Sequence, residues 1–488
     1  MPVTPSPKPP RARPKPFLFP QFCKGCGRCI EACPKDCIHL AAEVEPSSGF
    51  TPIVLDLEAC NGCGLCLGAC PEPYGLMPIP LAEDGRPGSL RELFGPPAEP
   101  PPRSRSTPDR RRALPAVEPL VMKGNHASAV GALLAGCRHF FGYPITPSTE
   151  GAELMARHLG DVGGVFVQAV SEVAAVNMMY GCGAAGLRSM TFTSSPGFSL
   201  MLEGISYMIG AEVPAVFVNV MRGGPGLGNI GPEQADVKLA CRGLGHGNTH
   251  ALVLAPASPQ EMLDLTMEAF ALAFRYRNPV VLVGDGYLGQ MTGRVTLPDH
   301  LVEPGQPEWA VWGDRAHRHN LVCSIYLSEG DLEEHNVRLN RKYRRIADRE
   351  QRSEEYRCDD AETLLVACNT PARMAKGAVE ALRAEGVRAG LFRPITLWPF
   401  PIDALAARLA EGRVRSLVVV EAGPGQLEDE LRLALSHAGV ATPPIARVRH
   451  FGGVLPQLHE IVDRVHHFQD ELQNPQEAPD GPGVLQAV

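Results

Sequence analysis

The sequence predicts an α/β protein in which a small cysteine-rich domain precedes two domains built on parallel sheets. Nine of the fifteen cysteines lie between residues 23 and 70. Two series of β-branched runs alternate with alanine-rich stretches, one from Leu120 and one from Thr363, and this alternation is typical of parallel sheets. A segment rich in proline and arginine, GPPAEPPPRSRSTPDRRR, separates the cysteines from the first series and indicates an extended linker.

Composition excludes several classes of function. The 488 residues suggest about three domains of ~150 residues, and a hydrophobic content of 44 % is sufficient for sizeable cores. The chain has 46 basic and 54 acidic residues, a net charge of −8, which disfavours a general nucleic-acid binder. No apolar run approaches the ~20 residues of a membrane-spanning helix. The basic, proline-rich N-terminus also lacks the apolar segment of a secretory signal. We expect neither nucleic acid nor membrane as a partner.

Eight cysteines form two runs with one spacing, C-x2-C-x2-C-x3-C, each followed by proline. In the two-cluster bacterial ferredoxin pattern with this spacing, the fourth cysteine of each run ligates the other cluster. One 4Fe–4S cluster is therefore expected on Cys23, Cys26, Cys29 and Cys70. The second cluster is expected on Cys60, Cys63, Cys66 and Cys33.

A pair of zinc sites is the alternative for these cysteines. Zinc usually takes two separated C-x2-C pairs rather than four cysteines within eleven residues, so the spacing favours clusters. Gly25, Gly27, Gly62 and Gly64 would let the backbone curl and bring its N–H groups near the sulfurs. Cys37 lies outside both runs and is interpreted as a buried or adventitious thiol. Two clusters in one small domain indicate electron transfer, with the electrons supplied from elsewhere.

The β-branched runs predict the strands of the two larger domains. In the first, strands are expected at residues 165–170, 189–195, 215–221, 251–256 and 279–286, with helices at 172–186 and 259–276. In the second, strands are expected at residues 364–368, 387–393 and 416–422, with a helix at 372–386. Pro394, Pro399 and Pro401 should interrupt the chain after the second of these strands.

A highly charged segment, residues 331–357, joins the two series. Leu332, Leu339, Tyr343 and Ile346 are spaced to share one face of a helix, which predicts an amphipathic connector. A fully solvated spacer helix is the alternative.

Four segments, GYPITPS, SEVAAVNM, SSPGFSLM and RGGPGLGN, together carry a specific resemblance. Residues 120–465 resemble the alpha subunit of 2-oxoacid:ferredoxin oxidoreductases, enzymes that use thiamine diphosphate, iron–sulfur clusters and coenzyme A. The N-terminal domain resembles the ferredoxin-like delta subunit of that family. The runs VMRGGPGLGNIGPEQAD and LFRPITLWPFP are most similar to the branched-chain, 2-oxoisovalerate branch, and the 2-oxoglutarate branch is its competitor.

The resemblance implies a thiamine pyrimidine-binding domain followed by a transketolase C-terminal-like domain, which we expect to serve assembly. The expected segments are a disordered tail at 1–16, the two-cluster domain at 17–80, the linker at 81–118, the pyrimidine-binding domain at 119–300, the connector at 301–361, the second α/β domain at 362–470 and a frayed tail at 471–488.

Three residues match positions of the family's active site. Glu172 in SEVAAVN matches the carboxylate that pairs with a pyrimidine nitrogen of thiamine, and taken alone it could instead be a helix N-terminal acid. Arg222 follows a predicted strand and matches a cation for the 2-oxoacid carboxylate. Thr146 in YPITPS matches a substrate-side hydroxyl. A surface salt bridge for Arg222 and a simple turn for Thr146 are the alternatives.

Half of a thiamine site is missing from the sequence. Thiamine enzymes bind Mg²⁺ and diphosphate through a GDG followed by an asparagine pair. This chain has one GDG, at 284–286, and about thirty residues later the sequence has Asn320 alone rather than an asparagine pair. The resemblance therefore implies a beta subunit that binds diphosphate and Mg²⁺, and a gamma subunit. The turn GPGQ at 423–426 could start an anion-binding helix or be a plain turn.

The expected function is oxidative decarboxylation of a 2-oxoacid to acyl-CoA and CO2. Coenzyme A is the co-substrate, and electrons pass through the two clusters to an external ferredoxin. Oxygen-sensitive clusters suit a cytoplasmic protein. The competing hypothesis is an electron-transfer adaptor whose α/β body has become a docking scaffold. The presence of Glu172, Arg222 and Thr146 favours the enzyme.

Overall fold

The computed structural model describes residues 15–72, 75–79, 106–314, 317 and 319–474. The chain divides into two compact units, residues 1–103 and 104–488, which are taken in turn. The expected N-terminal tail up to residue 14, the linker up to residue 105 and the C-terminal tail from residue 475 lie outside the described residues. The segment boundaries expected from the sequence stay predictions.

The cysteine-rich unit consists of two strand pairs and two one-turn helices. Its strands are β1 (Lys15–Leu18), β2 (Ile38–Leu40), β3 (Ile53–Leu55) and β4 (Leu76–Ile79), and its helices are α1 (Arg28–Glu31) and α2 (Leu65–Ala69). β1 pairs with β4 and β2 with β3, both antiparallel. The small core is lined by Cys29, Cys37, Ile38, Ile53, Cys66 and Leu76. Because half of these core residues are cysteines, the unit has little apolar surface with which to stabilise itself without a bound group.

A seven-stranded sheet forms the centre of the larger unit. Its strands are β7 (His139–Gly142), β8 (Val165–Gln168), β9 (Ser189–Thr193), β10 (Val216–Met221), β11 (Leu252–Leu254), β12 (Val280–Asp285) and β18 (Thr396–Trp398). Their order across the sheet is β18-β11-β12-β10-β9-β7-β8, and all neighbours are parallel except β18 and β11. Each of the five runs expected to be a strand in this domain contains one, and the predicted fold class is confirmed.

Helices cover both faces of this sheet, as continuous apolar strands require. They are α3 (Gly124–Leu134), α4 (Thr149–His158), α5 (Glu172–Ala184), α6 (Ser195–Gly210), α7 (Val237–Arg242), α8 (Pro259–Tyr276) and α9 (Gly286–Gln290). Helix α8 occupies the residues expected for it, and the Ser258 hydroxyl caps it by accepting a hydrogen bond from the Glu261 amide at 3.2 Å.

Two strand pairs at the edge of the body change the expected extent of the linker. β5 (Arg110–Ala113) pairs with β14 (His300–Glu303), and β6 (Leu120–Lys123) pairs with β13 (Thr292–Val295). The buried guanidinium of Arg188 bonds to the Asp109 carboxylate at 2.5 Å. The end of segment 81–118 thus contains the strand β5, which pairs with the body, and Asp109 just before it pairs with the buried Arg188.

The second α/β domain has a five-stranded sheet in the order β15-β17-β16-β19-β20. Its strands are β15 (Ser353–Tyr356), β16 (Thr363–Val366), β17 (Ala389–Pro394), β19 (Ser416–Glu421) and β20 (Ile445–Arg449), and only β15 is antiparallel to its neighbour. The helices are α11 (Asn369–Ala384), α12 (Ile402–Ala410), α13 (Gln426–Ala438) and α14 (Leu458–Gln473). The three expected strands and the expected helix are present.

The two α/β domains interlock rather than meeting at a simple surface. β18 leaves the second domain just after Pro394 and adds an antiparallel edge to the first sheet. The buried Asn369 side chain donates hydrogen bonds to the carbonyls of Val283 and Pro256, at 2.7 and 3.0 Å. The second domain therefore completes the first.

The charged connector forms the helix α10 (Glu329–Arg349). Leu339, Tyr343 and Ile346 are buried against the body, so the amphipathic interpretation holds and a fully solvated spacer is wrong. Leu332 lies on the same face seven residues before Leu339, but in the first turn of the helix, where it is 41 % exposed rather than buried. Among the residues that the structure describes, no helix is long and apolar enough to cross a membrane.

Candidate functional site

The four sequence motifs come together at one edge of the seven-stranded sheet. GYPITPS follows β7, SEVAAVNM follows β8, SSPGFSLM follows β9 and RGGPGLGN follows β10. These four strands are neighbours and run parallel, so their carboxyl ends meet at the same edge. In open α/β sheets this edge is where ligands bind.

Glu172 is the first residue of α5 and is 5 % exposed. The Ser171 hydroxyl caps the helix by accepting a hydrogen bond from the Ala174 amide at 3.3 Å, so capping does not occupy the Glu172 carboxylate. Among the described residues that carboxylate forms no side-chain hydrogen bond or ion pair. A carboxylate that is largely buried yet unpaired costs free energy, which a ligand donor would recover.

Glu172 lies against Gly197 and Thr193. A Cβ atom at Gly197 would overlap both Glu172 Oε1 and Thr193 Oγ1, so the carboxylate can lie here because residue 197 is glycine. The Thr193 and Ser194 hydroxyls are buried without a hydrogen-bond partner. These polar groups fit a polar ring that can receive and donate hydrogen bonds, as the pyrimidine of thiamine can.

Arg222 comes directly after β10 and is 7 % exposed. Its guanidinium donates to the Thr146 carbonyl at 2.8 Å and to the Leu227 carbonyl at 3.0 Å. Its Nε is buried without a partner, and no carboxylate of the described residues pairs with it. The alternative of a surface salt bridge is therefore wrong, and Arg222 is a buried cation that lacks an anion.

A polar network lies behind Arg222 and fixes its backbone. The Arg222 amide donates to the Ser195 hydroxyl at 3.1 Å, and that hydroxyl donates to Asp236 at 2.6 Å. The Asn219 side chain donates to the same Asp236 oxygen at 2.8 Å. Burial raises the pKa of Asp236, while the bonds from Ser195 and Asn219 oppose that shift. Asp236 is not among the site residues predicted from the sequence, although it lies within the quoted run ending in GPEQAD.

Thr146 lies in the loop after β7 with its side chain exposed. Its backbone carbonyl receives the Arg222 guanidinium, so the structure joins these two sequence-predicted residues. Its hydroxyl makes no hydrogen bond to any described residue.

The second domain holds the glycine-rich loop that follows Arg222. The Asn229 side chain donates to the Gly452 carbonyl at 2.9 Å, and the Gly452 amide donates to Glu233 at 2.7 Å. Burial raises the pKa of Glu233, which this bond partly offsets. The second domain thus positions a loop of the site, which goes beyond the assembly role expected for it.

The lone GDG and the lone asparagine serve the fold. Asp285 accepts hydrogen bonds from the Leu288 amide, at 2.9 Å, and from the amide and hydroxyl of Thr370, at 2.9 and 2.8 Å. It thereby caps α9 and ties the two domains together. The Asn320 side chain donates to two backbone carbonyls, those of Glu308 and Ala310.

The backbone amides at the helix start after GPGQ already bind a carboxyl group of the chain itself. Glu421 accepts a hydrogen bond from the Leu427 amide at 3.0 Å at the beginning of α13. Burial raises the pKa of Glu421 to about 7, and the Leu427 and Glu428 amides oppose this shift. The alternative of an external anion at this turn is therefore not supported.

The first expected cluster set is gathered in the cysteine-rich unit. Burial and, to a smaller extent, the nearby Cys23, Cys70 and Cys26 raise the pKa of Cys29 to about 11. Cys70 comes from the other run, so the crossing expected from the spacing brings these four sulfurs together. Gly27 precedes α1 with φ of 77°, a conformation that favours glycine.

The second set is gathered in the same way. Burial raises the pKa of Cys66, and Cys60, Cys63 and Cys33 add to the shift. One cavity is lined by all four of these cysteines together with Cys37.

The sulfur sets fit clusters better than single ions. Within the described ranges, no group of three or more His, Cys, Asp or Glu side chains converges closely enough for one metal ion. A four-iron cluster needs its four thiolates spread around the cube rather than drawn to one centre.

Three parts of the chain match known protein families. Residues 22–73 match the 4Fe-4S dicluster domain, residues 130–355 the thiamine diphosphate-binding domain of pyruvate flavodoxin/ferredoxin oxidoreductases, and residues 361–461 core domain II of pyruvate:ferredoxin oxidoreductase. These matches coincide with the cysteine-rich unit, the domain that carries the four motifs, and the domain that holds Gly452.

Two subunits of known oxidoreductases match over nearly their whole length, and a solved structure matches over about two thirds of its chain. Ketoisovalerate oxidoreductase subunit VorB of Methanothermobacter thermautotrophicus is 50 % identical, over 71 % of this chain and 96 % of that protein. The 2-oxoglutarate synthase subunit KorA of the same organism is 36 % identical, over 71 % and 98 %. The 2-oxoglutarate:ferredoxin oxidoreductase structure from Magnetococcus marinus is 28 % identical with a TM-score of 0.63, over 72 % of this chain and 65 % of that chain. The resemblance is confirmed, and the chain belongs to the 2-oxoacid:ferredoxin oxidoreductase family, with a 4Fe–4S dicluster domain fused ahead of the conserved subunit.

Proposed function

We propose that this chain is the substrate-binding and electron-carrying subunit of a 2-oxoisovalerate:ferredoxin oxidoreductase. The net reaction converts 2-oxoisovalerate, coenzyme A and two oxidised ferredoxins to isobutyryl-CoA, CO2, one proton and two reduced ferredoxins. The observation that carries the proposal is Arg222, a buried cation at the ligand-binding edge of the sheet with no carboxylate partner among the described residues.

Arg222 binds the carboxylate of the 2-oxoacid. A guanidinium has five N–H donors, and the Thr146 and Leu227 carbonyls accept two of them, so donors remain for the substrate. Charge-assisted bonds from arginine to carboxylates are among the stronger hydrogen bonds in proteins. The two carbonyls that accept its other donors, those of Thr146 and Leu227, keep the guanidinium oriented. The exposed Thr146 hydroxyl is available to the 2-oxo group.

Charge supports a monocarboxylate with an apolar side chain. Within the loops 143–150, 170–173 and 222–233, Arg222 is the only basic residue. The second carboxylate of 2-oxoglutarate would need another cation. Leu227 and Ile230 in the loop after Arg222 are strongly exposed and suit a branched alkyl group. The higher identity to a ketoisovalerate subunit than to 2-oxoglutarate subunits agrees.

Glu172 would hold the pyrimidine ring of thiamine diphosphate, and that cofactor would supply the carbon nucleophile needed for decarboxylation. The unpaired carboxylate would bond to a ring nitrogen and keep a proton there. The Thr193 and Ser194 hydroxyls, which have no hydrogen-bond partner, are two further polar groups close to Glu172 in the sequence order of the motifs. This chain offers no counterpart of a complete Mg²⁺ and diphosphate motif, so we assign those functions to a beta subunit.

Exposed apolar side chains next to Glu172 and Arg222 in the sequence support such a partner. Val170 and Val173 flank Glu172 in sequence and are 88 and 45 % exposed. Leu227 and Ile230 follow Arg222, and Leu227 is 79 % exposed. Apolar residues of this size concentrated at one edge are typical of a protein interface. The relatives are named as subunits, which agrees. A gamma subunit remains part of the proposal.

The eight cysteines would hold two 4Fe–4S clusters, and those clusters would supply one-electron transfer. Cys23, Cys26, Cys29 and Cys70 hold one cluster, and Cys60, Cys63, Cys66 and Cys33 hold the other. Covalent fusion keeps these carriers at a high effective concentration near the α/β body.

Replacing Gly197 by alanine should weaken the binding of thiamine diphosphate. The new methyl group would overlap the Glu172 carboxylate and the Thr193 hydroxyl. Overpacking of this kind costs about 1–3 kcal/mol, so we expect the concentration of thiamine diphosphate for half-maximal activity to rise roughly 5- to 150-fold. Gly181→Ala is the matched control, because its methyl would meet nothing within 4 Å. If Gly197→Ala and Gly181→Ala needed the same concentration of thiamine diphosphate for half-maximal activity, the proposed ring-binding role of Glu172 would be contradicted.

The proposed function is tested by substrate-dependent viologen reduction with the anaerobically purified native complex. The assay contains coenzyme A and, separately, 2-oxoisovalerate, 2-oxoglutarate, pyruvate and indolepyruvate. We expect the highest kcat/KM with 2-oxoisovalerate. Faster reduction with 2-oxoglutarate would overturn the substrate assignment. No reduction with any acid, despite complete clusters and bound thiamine diphosphate, would favour the electron-transfer adaptor.

A further inference from the structure

The second four-cysteine set has a fifth sulfur beside it. Cys37 is 4 % exposed, and its Sγ lies 3.3 Å from the Sγ of Cys33. Cys37 also lies within interaction range of Cys60, and it lines the same cavity as the four cysteines of this set. Cys37 is therefore part of the sulfur lining of that cavity rather than a thiol elsewhere in the core.

The backbone holds Cys37 in this place. Asp36 has φ of 52°, and the turn it forms is closed by a hydrogen bond from the Asp36 amide to the Cys33 carbonyl at 3.3 Å. The Cys37 carbonyl accepts a bond from the Asp56 amide at 2.9 Å, and Ile38 begins β2. The short separation of the two sulfurs follows from this fixed turn.

The other set lacks this feature. Cys70 occupies the position in its run that Cys33 occupies in the first run, and four residues after it the sequence has Tyr74. The Cys70 thiol points to the carbonyl of Glu72 at 3.6 Å. The chain thus contains an internal comparison, because a cysteine stands four residues after Cys33 and a tyrosine stands four residues after Cys70 in the sequence.

We propose that Cys37 is a reserve ligand of the second 4Fe–4S cluster and can replace Cys33 on its iron. This inference rests on the proposed cluster assignment. When Cys33 is the ligand, Cys37 stays a protonated thiol next to it. When Cys33 is absent, Cys37 releases its proton to solvent and its sulfur bonds to the vacated iron. No electron is gained or lost, so the exchange needs no oxidant or reductant.

The test compares alanine variants of the full chain after anaerobic cluster assembly, measured by iron and sulfide content and by EPR. We expect Cys33→Ala to keep two four-iron clusters. Cys70→Ala, its matched control, should lose one cluster or convert it to a three-iron cluster, because no free sulfur lies four residues on. The double variant Cys33→Ala/Cys37→Ala should behave like Cys70→Ala, and Cys37→Ala alone should keep both clusters.

Loss of as much iron from Cys33→Ala as from Cys70→Ala would overturn the proposal. Loss of a cluster from Cys37→Ala with Cys33 intact would also overturn it, because Cys37 would then be a required part of the site rather than a reserve. A wild-type chain without two four-iron clusters would instead refute the cluster assignment in the proposed function. The α/β unit, which contains none of these residues, provides the folding control through its thermal unfolding.

Discussion

Replacing Glu172 by glutamine should remove almost all turnover while leaving both clusters in place. Glutamine keeps the size of the side chain, so its fit beside Gly197 and Thr193 is retained. It cannot hold a proton on the pyrimidine nitrogen, and the loss of a proton-transferring group typically costs ~10²–10⁴-fold in rate. We expect kcat with 2-oxoisovalerate to fall by at least that factor in the viologen assay.

Two controls make this result specific. Glu153→Gln changes an exposed glutamate of α4 and should leave kcat unchanged. Iron and sulfide content should be the same in Glu172→Gln as in the wild type, because Glu172 and the cysteines belong to separate units. Normal turnover of Glu172→Gln would refute the role of this carboxylate.

Replacing Arg222 by methionine should weaken the use of every 2-oxoacid. The substitution removes a hydrogen bond to a charged group, worth about 1.5–3 kcal/mol, so kcat/KM should fall roughly 10- to 150-fold. The Thr146 and Leu227 carbonyls also lose their donor, which loosens the loop and adds to the loss. The measurement is the dependence of initial rate on 2-oxoacid concentration.

The apparent affinity for coenzyme A distinguishes a substrate cation from a structural one. We expect the KM for the 2-oxoacid to rise in Arg222→Met while the KM for coenzyme A changes little. Arg432→Met is the control and should change neither KM. The partner of Arg432, Glu428, keeps its ion pair with Arg447, so this substitution leaves no carboxylate unpaired. An equal rise of both KM values would indicate that Arg222 only supports the loop.

The local signals were strong enough to predict most elements and the family. Alternation of buried strands and helices identified the parallel sheets, because strands covered on both faces are continuously apolar. The repeated cysteine spacing predicted the crossed sets, and the structure gathers Cys70 with the first run. The pairing of β5 with β14 was not predicted, because β5 is a fully exposed run, RRRA, without the apolar residues that indicate a strand.

The sequence by itself determined the fold class, the family, and the identities of the chemical groups, since each depends on spacing within short segments. Only the tertiary structure decided which hydrogen-bond and ion-pair partners those groups have and which they lack. Arg222 meets Thr146 across 76 residues. No short segment contains the information that no carboxylate in the described part of the chain reaches this guanidinium. Asp236 and Gly452 join the site through contacts with distant chain segments. Only the structure shows that Cys37 lies next to the second cysteine set, because the turn at Asp36 places its sulfur beside that of Cys33. Such pairings depend on how the whole chain packs, because only packing brings together residues that are far apart in sequence and settles whether a buried charge has a partner.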